Sequence, residues 1–121
     1  MKAILVLALV LLPFQAFGDV MHYTKCELND GKTVADAQAW VDAWRVLKEK
    51  EGIDYKVRLL IPHADNDLGA DEFFIEGASS TLDSYAKAWT WWYSDPDALK
   101  SNAQLTAAAT CNSGAVYRST D

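Results

Sequence analysis

The stretch "DYKVRLLIPHADNDLGADEFFIEG", residues 54 to 77, decides the fold. Tyr55, Val57, Leu59 and Ile61 alternate with Lys56, Arg58 and Leu60, the two-residue period of a strand with one buried face. Pro62 ends that run. From residue 72 the alternation resumes, Phe73 and Ile75 against Glu72, Phe74 and Glu76. Two such runs in succession predict an antiparallel hairpin closed by a long loop. The loop gathers Asp65, Asp67, Asp71 and Glu72 with His63 and Gly69. Carboxylates around a glycine are what a hard cation wants, but the spacing misses the EF-hand pattern, and Asp, Asn and Gly are also ordinary turn formers. Asp65, Asp67 and Asp71 are therefore the weak candidates for calcium, beside a solvated connection or a lid.

A helical period lies on either side of the hairpin. In residues 33 to 52, Val34, Ala37, Trp40, Val41, Trp44 and Leu47 recur every three or four residues, with Thr33 placed to cap the start and Gly52 the end. In residues 79 to 95, Leu82, Tyr85, Ala86, Trp89, Trp92 and Tyr93 do the same behind hydroxyl caps. Asp95 and Pro96 then start a third, short helix. Outermost are "VMHYTKCEL", residues 20 to 28, ended by the turn signal "NDGK", and "TCNSGAVYRST", residues 110 to 120, weakened by Gly114. The order β-α-β-β-α(α)-β is the split βαβ pattern of a ferredoxin-like α+β domain: a four-stranded antiparallel sheet with helices on one face.

Before this domain stands "MKAILVLALVLLPFQAFG": Lys2, an apolar run from Ala3 to Leu12, and small Ala16 and Gly18 two residues apart. That is the make-up of a signal peptide, and the run is short for a permanent span. The reading is residues 1–18 as leader and 19–121 as one exported domain, periplasmic or extracellular, with no membrane attachment after cleavage. Loss of Lys2 with the leader leaves ten basic against seventeen acidic residues, a charge of about −7, which speaks against nucleic acid as a partner.

Two cysteines remain, Cys26 and Cys111. In an oxidising compartment they read as one disulfide or as two separate buried thiols. Ferredoxin-like topology makes the first and last strands neighbours and brings these two positions together, so the disulfide is the expectation. Alternation then assigns the faces. Toward the helices go His22, Thr24, Cys26, Tyr55, Val57, Leu59, Ile61, Phe73, Ile75, Cys111, Ala115 and Tyr117; away from them go Met21, Tyr23, Lys25, Glu27, Lys56, Arg58, Leu60, Glu72, Phe74, Glu76, Asn112 and Arg118. No helix is left for the second face, and its mixture of charge with large apolar groups predicts a homodimer closing over it.

The segment "C-x-L-x-D-G-K-T" leading into a helix with "AWVDAW", and a proline followed by "FFIEG" at the second and third strands, resemble small exported bacterial proteins of ferredoxin-like fold. These are similar to the dimeric α+β barrel superfamily. The resemblance implies paired open sheet faces and, in some members, a ligand between sheet and helices. It implies no transferable set of catalytic residues.

For chemistry, Trp40, Trp44, Trp89 and Trp92 are core filling or the walls of an aromatic pocket, and Trp91, off the stripe, is a contact residue for ligand or partner. Arg58 with Glu72 or Glu76 is the first place to search for an acid–base pair, although alternating signs on neighbouring strands are ordinarily cross-strand ion pairs. His22 and His63 stand on different segments without a Cys or His at ligand spacing, which leaves zinc and haem without support, and nothing points to another cofactor. The expected function is an exported module that binds a small apolar molecule or a partner, probed against two alternatives: a monooxygenase-like enzyme of the dimeric α+β barrel type and a calcium-stabilised structural protein.

Overall fold

The computed structural model describes residues 20–64 and 68–120; the proposed leader, Asp65 and Asp67 lie outside them. Seven elements follow in order: β1 (Val20–Leu28), α1 (Val34–Glu51), β2 (Lys56–Leu60), β3 (Glu72–Ser79), α2 (Leu82–Trp92), α3 (Pro96–Ala108) and β4 (Ala109–Arg118). The strands form one antiparallel sheet in the order β2-β3-β1-β4, the ferredoxin-like arrangement.

Local chemistry explains where the helices begin and end. Asp36 accepts the Thr33 backbone N–H at 2.8 Å and its hydroxyl at 3.2 Å, which ties down the entry to α1. Gly52 ends the helix in the left-handed conformation that an L side chain resists. Thr81 accepts from the Ser84 N–H at the start of α2. Asp95 accepts from the N–H groups of Asp97 and Ala98, with Pro96 in the first turn of α3. At the far end of α3 the Asn29 side-chain amide donates to the carbonyls of Thr106 and Ala107, supplying the partners that a helix end lacks.

The core joins the inner sheet residues Cys26, Val57, Phe73 and Ile75 to Ala37, Trp40, Val41 and Trp44 of α1 and Leu105 of α3. Indole N–H groups fasten the layers: Trp40 donates to the Ser101 hydroxyl at 3.1 Å and Trp44 to the Tyr55 carbonyl at 3.2 Å. Cys26 and Cys111 face each other across the β1–β4 ladder and are joined by a disulfide.

The assignment of faces needs one correction. Between Thr24 and Lys25 the register with β4 slips: Thr24 pairs with Gly114 but Lys25 with Asn112, so residue 113 is an extra residue in β4. A bulge of one residue reverses the side of everything beyond it. Ala115 and Tyr117 pair with Tyr23 and Met21 on the open face, while Val116 and Arg118 pair with His22 and Val20 on the helix side. The second correction concerns α2. Its stripe is the predicted one, yet only Ala88 is fully buried; Leu82 is 52% exposed and Tyr93, which caps the helix, 70%. The helix stands off the sheet and leaves space beneath it.

Candidate functional site

That space is a cavity of about 530 Å³. Trp40 and Trp44 of α1, Trp89 and Trp92 of α2 and Tyr93 just after it form its aromatic walls, Asn102, Leu105 and Thr106 of α3 a third side, and His22, Thr24, Tyr55, Val57, Ile75 and Cys111 the floor. No Asp, Glu, Lys or Arg is among these residues. The size and the lining suit a small organic molecule, apolar over most of its surface and held by few polar groups.

The polar groups converge on His22. Its Nδ1 lies 3.0 Å from the Tyr55 hydroxyl and its Nε2 3.4 Å from the Thr24 hydroxyl. The imidazole is edge-on to Trp89 with centroids 5.0 Å apart and to Tyr85 at 6.0 Å. Burial lowers the His22 pKa and, more strongly, raises that of Tyr55, so both side chains are neutral near pH 7. The Trp89 indole N–H is buried without an acceptor in good geometry, although it is close enough to the Tyr55 oxygen to offset part of that rise.

Two glycines make room for this pair. Tyr55 lies over Gly77 of β3, where an added Cβ would overlap its hydroxyl and ring, and His22 Nε2 would stand 2.6 Å from a Cβ at Gly114 of β4. Gly77 is also the cross-strand partner of His22. The two side chains lie low across the sheet because both neighbouring strands give up a side chain there.

The other sequence candidates fall elsewhere. Trp40, Trp44, Trp89 and Trp92 all line the cavity, whereas Trp91 does not: it is half-buried with its ring 5.6 Å from that of Trp44. Arg58, Glu72 and Glu76 project from the opposite side of the sheet. Arg58 Nε donates to Glu76, whose side chain is only 8% exposed, and Lys25 pairs with Glu72 at 3.3 Å. The Gly69 N–H, then Lys25, holds the Glu72 pKa below its ordinary value. These are structural ion pairs away from the cavity. Asp71 is exposed. Among the described residues the group of acidic side chains close enough to share an ion is Glu51, Asp95 and Asp97, and Asp95 is already occupied in capping α3.

Sequence reading weighed His22 only as a zinc or haem ligand and Tyr55 only as a buried strand residue, and it passed over Asn102, Thr106 and Gly77. A glycine inside a strand facing a polar aromatic is the signal that marks the pair. The open face has its own shallow hollow of about 480 Å³, lined by Tyr23, Leu60, Phe74, Gly114, Ala115 and Tyr117.

No family model matches the chain, and no characterised protein matches it by sequence. Solved structures do match by fold. SnoaB of Streptomyces nogalater, a cofactor-independent oxygenase, aligns over 84% of this chain and 93% of its own with a TM-score of 0.55 at 14% identity. Protein At3g17210 of Arabidopsis thaliana aligns over 84% and 96% with a TM-score of 0.61 at 11% identity. The likeness to these two proteins is one of fold. Among the described residues no helix is long and apolar enough to cross a membrane.

Proposed function

We propose that residues 19–121 form an exported domain that binds a neutral, flat, largely apolar small molecule between helices and sheet. The observation that carries this is a cavity walled by tryptophan and tyrosine, without an ionised side chain, over a floor that offers a His–Tyr–Thr cluster. Aromatic walls favour a planar guest, and the missing charge disfavours an ion that would surrender its hydration. Export is supported by the leader-like first 18 residues and by the disulfide. The domain acts as a homodimer joined through the open face, supported by the unroofed Tyr23, Leu60, Phe74 and Tyr117.

A titration of α-naphthol followed by tryptophan emission tests the binding: it saturates with the native chain and disappears in Ala88→Trp, which fills the space under α2. Equal binding by that variant sinks the reading. Native mass spectrometry of protein from its own host then reports guest, disulfide and dimer together. The second reading, an enzyme acting on that guest without a cofactor, is favoured by the neutral His22–Tyr55 pair at the cavity floor and by the fold likeness to SnoaB, described as a cofactor-independent oxygenase.

A further inference from the structure

The polar groups around the cavity differ in whether their hydrogen bonds are already spent. On the sheet side they are. His22 Nδ1 meets the Tyr55 hydroxyl at 3.0 Å, and its Nε2 faces the Thr24 hydroxyl at 3.4 Å, hard against Gly114. The Thr110 hydroxyl donates to the Asn29 side-chain oxygen at 2.7 Å. The indole N–H groups of Trp40 and Trp44 donate to Ser101 and to the Tyr55 carbonyl, and the buried Trp89 N–H lies close to the Tyr55 oxygen. On α3, the Thr106 hydroxyl donates back to the Ala103 carbonyl at 3.1 Å.

Asn102 is different. It lines the cavity from the middle of α3, one turn before Leu105 and Thr106, and its side chain makes no hydrogen bond to any described residue. Asn is a poor helix former because its amide competes for backbone partners, yet here the amide takes none of them. Half-buried against apolar walls, it loses water without gaining a partner from its own chain. The other unpaired groups on the lining say less about a guest. Trp92 offers a lone N–H donor, and the Tyr93 hydroxyl belongs to a residue 70% exposed.

We infer that Asn102 selects the guest, its amide N–H and C=O pairing with an edge that sets a C=O beside an N–H: the guest is a planar lactam fused to an aromatic ring. This rests on the cavity being a small-molecule site. An Asn side chain ends in an acceptor and two donors, so a cis-lactam meets it with two parallel hydrogen bonds. A phenol, an ether or a ketone has one heteroatom and cannot meet both in line. A carboxylic acid has the same edge when protonated, but it ionises well below neutral pH, and no Lys or Arg lines the cavity to receive the charge. The lactam stays neutral, and its fused ring packs against the tryptophans.

Carbostyril, the lactam of the quinoline series, is the probe. It is set against N-methylcarbostyril, which keeps ring and carbonyl but lacks the N–H, and against α-naphthol, with affinities measured by calorimetry at neutral pH. The native chain is expected to bind carbostyril about tenfold more tightly than the N-methyl compound, whose binding leaves the amide oxygen of Asn102 unpaired. Asn102→Leu keeps the bulk and loses both polar atoms. It is expected to bind the two carbostyrils alike and α-naphthol as the native chain does. Asn102→Ala, which brings in the best helix former, carries the same expectation if the leucine variant does not fold. Equal affinity of the native chain for the two carbostyrils, or a preference that survives these substitutions, overturns the assignment, and binding of α-naphthol then leaves the cavity reading standing. Failure of the native chain to bind any of the three overturns both.

Discussion

At the scale of single residues the molecule is sensitive where side chains are missing. Gly77→Ala places a methyl group against the Tyr55 hydroxyl and ring. Tyr55 packs edge-on against Trp44 and Trp89, so moving it disturbs both rings. Overpacking of this kind costs about 1–3 kcal/mol, and a lowered urea midpoint with an unchanged slope is the expected result. His22 adds a pH dependence whose sign follows from burial. Its folded pKa lies below the 6.5 of the unfolded chain, so between the two values the unfolded chain holds the proton more readily. The stability it contributes is present above pH 6.5 and is lost as the pH falls through the folded value. Urea midpoints of the native protein are expected to drop between pH 7 and pH 5, above the range where carboxylates titrate, and to drop less in His22→Asn. Equal slopes in the two proteins contradict this.

At the scale of elements, the disulfide sets the largest single expectation. Cys26 and Cys111 are 85 residues apart, and closing so long a loop is worth about 4 to 5 kcal/mol in the chain-entropy model. Replacing both by alanine should lower the unfolding free energy by most of that amount, measured against native protein without reductant. The pairing was legible beforehand because it needs only the order of elements, and that order was written in the alternation around residues 54–77 and in the caps Thr33, Gly52 and Asp95. The bulge was not legible. An extra residue in a strand leaves alternation intact on each side of it, so nothing before Gly114 announced that Ala115 and Tyr117 had changed faces. The cavity was hidden for a related reason: the stripe Tyr85, Trp89, Trp92 has the same spacing whether the helix is pressed to the sheet or stands off it. Trp91 shows the converse, since a residue off the stripe still finds Trp44 when the helices lean together. Arg58 with Glu72 or Glu76 was a candidate because an open face closing into a barrel would enclose it; in the chain these residues make the ion pairs Arg58–Glu76 and Lys25–Glu72 on that face.

At the scale of the whole molecule, the two broad sides of the sheet divide the labour. One carries the cavity; the other carries Tyr23, Phe74 and Tyr117, the last 58% exposed, beside the Arg58–Glu76 pair. Light scattering is expected to give twice the chain mass for the native protein and a single chain mass for Phe74→Asp, which sets a charge in the middle of that apolar hollow. The same variant should bind α-naphthol as the native chain does, because the substitution and the cavity are on opposite sides. A native chain that scatters as a monomer refutes the assembly without touching the cavity.

Helix α2 buries Ala88 alone, whereas α1 buries Ala37, Trp40, Val41 and Trp44. A molecule bound as proposed beneath α2 would therefore stand where a core side chain would otherwise be, and would complete the interior on that side. If the proposed binding holds, occupancy and rigidity would become one variable, and amide hydrogen exchange along residues 82–92 is expected to slow when α-naphthol is added.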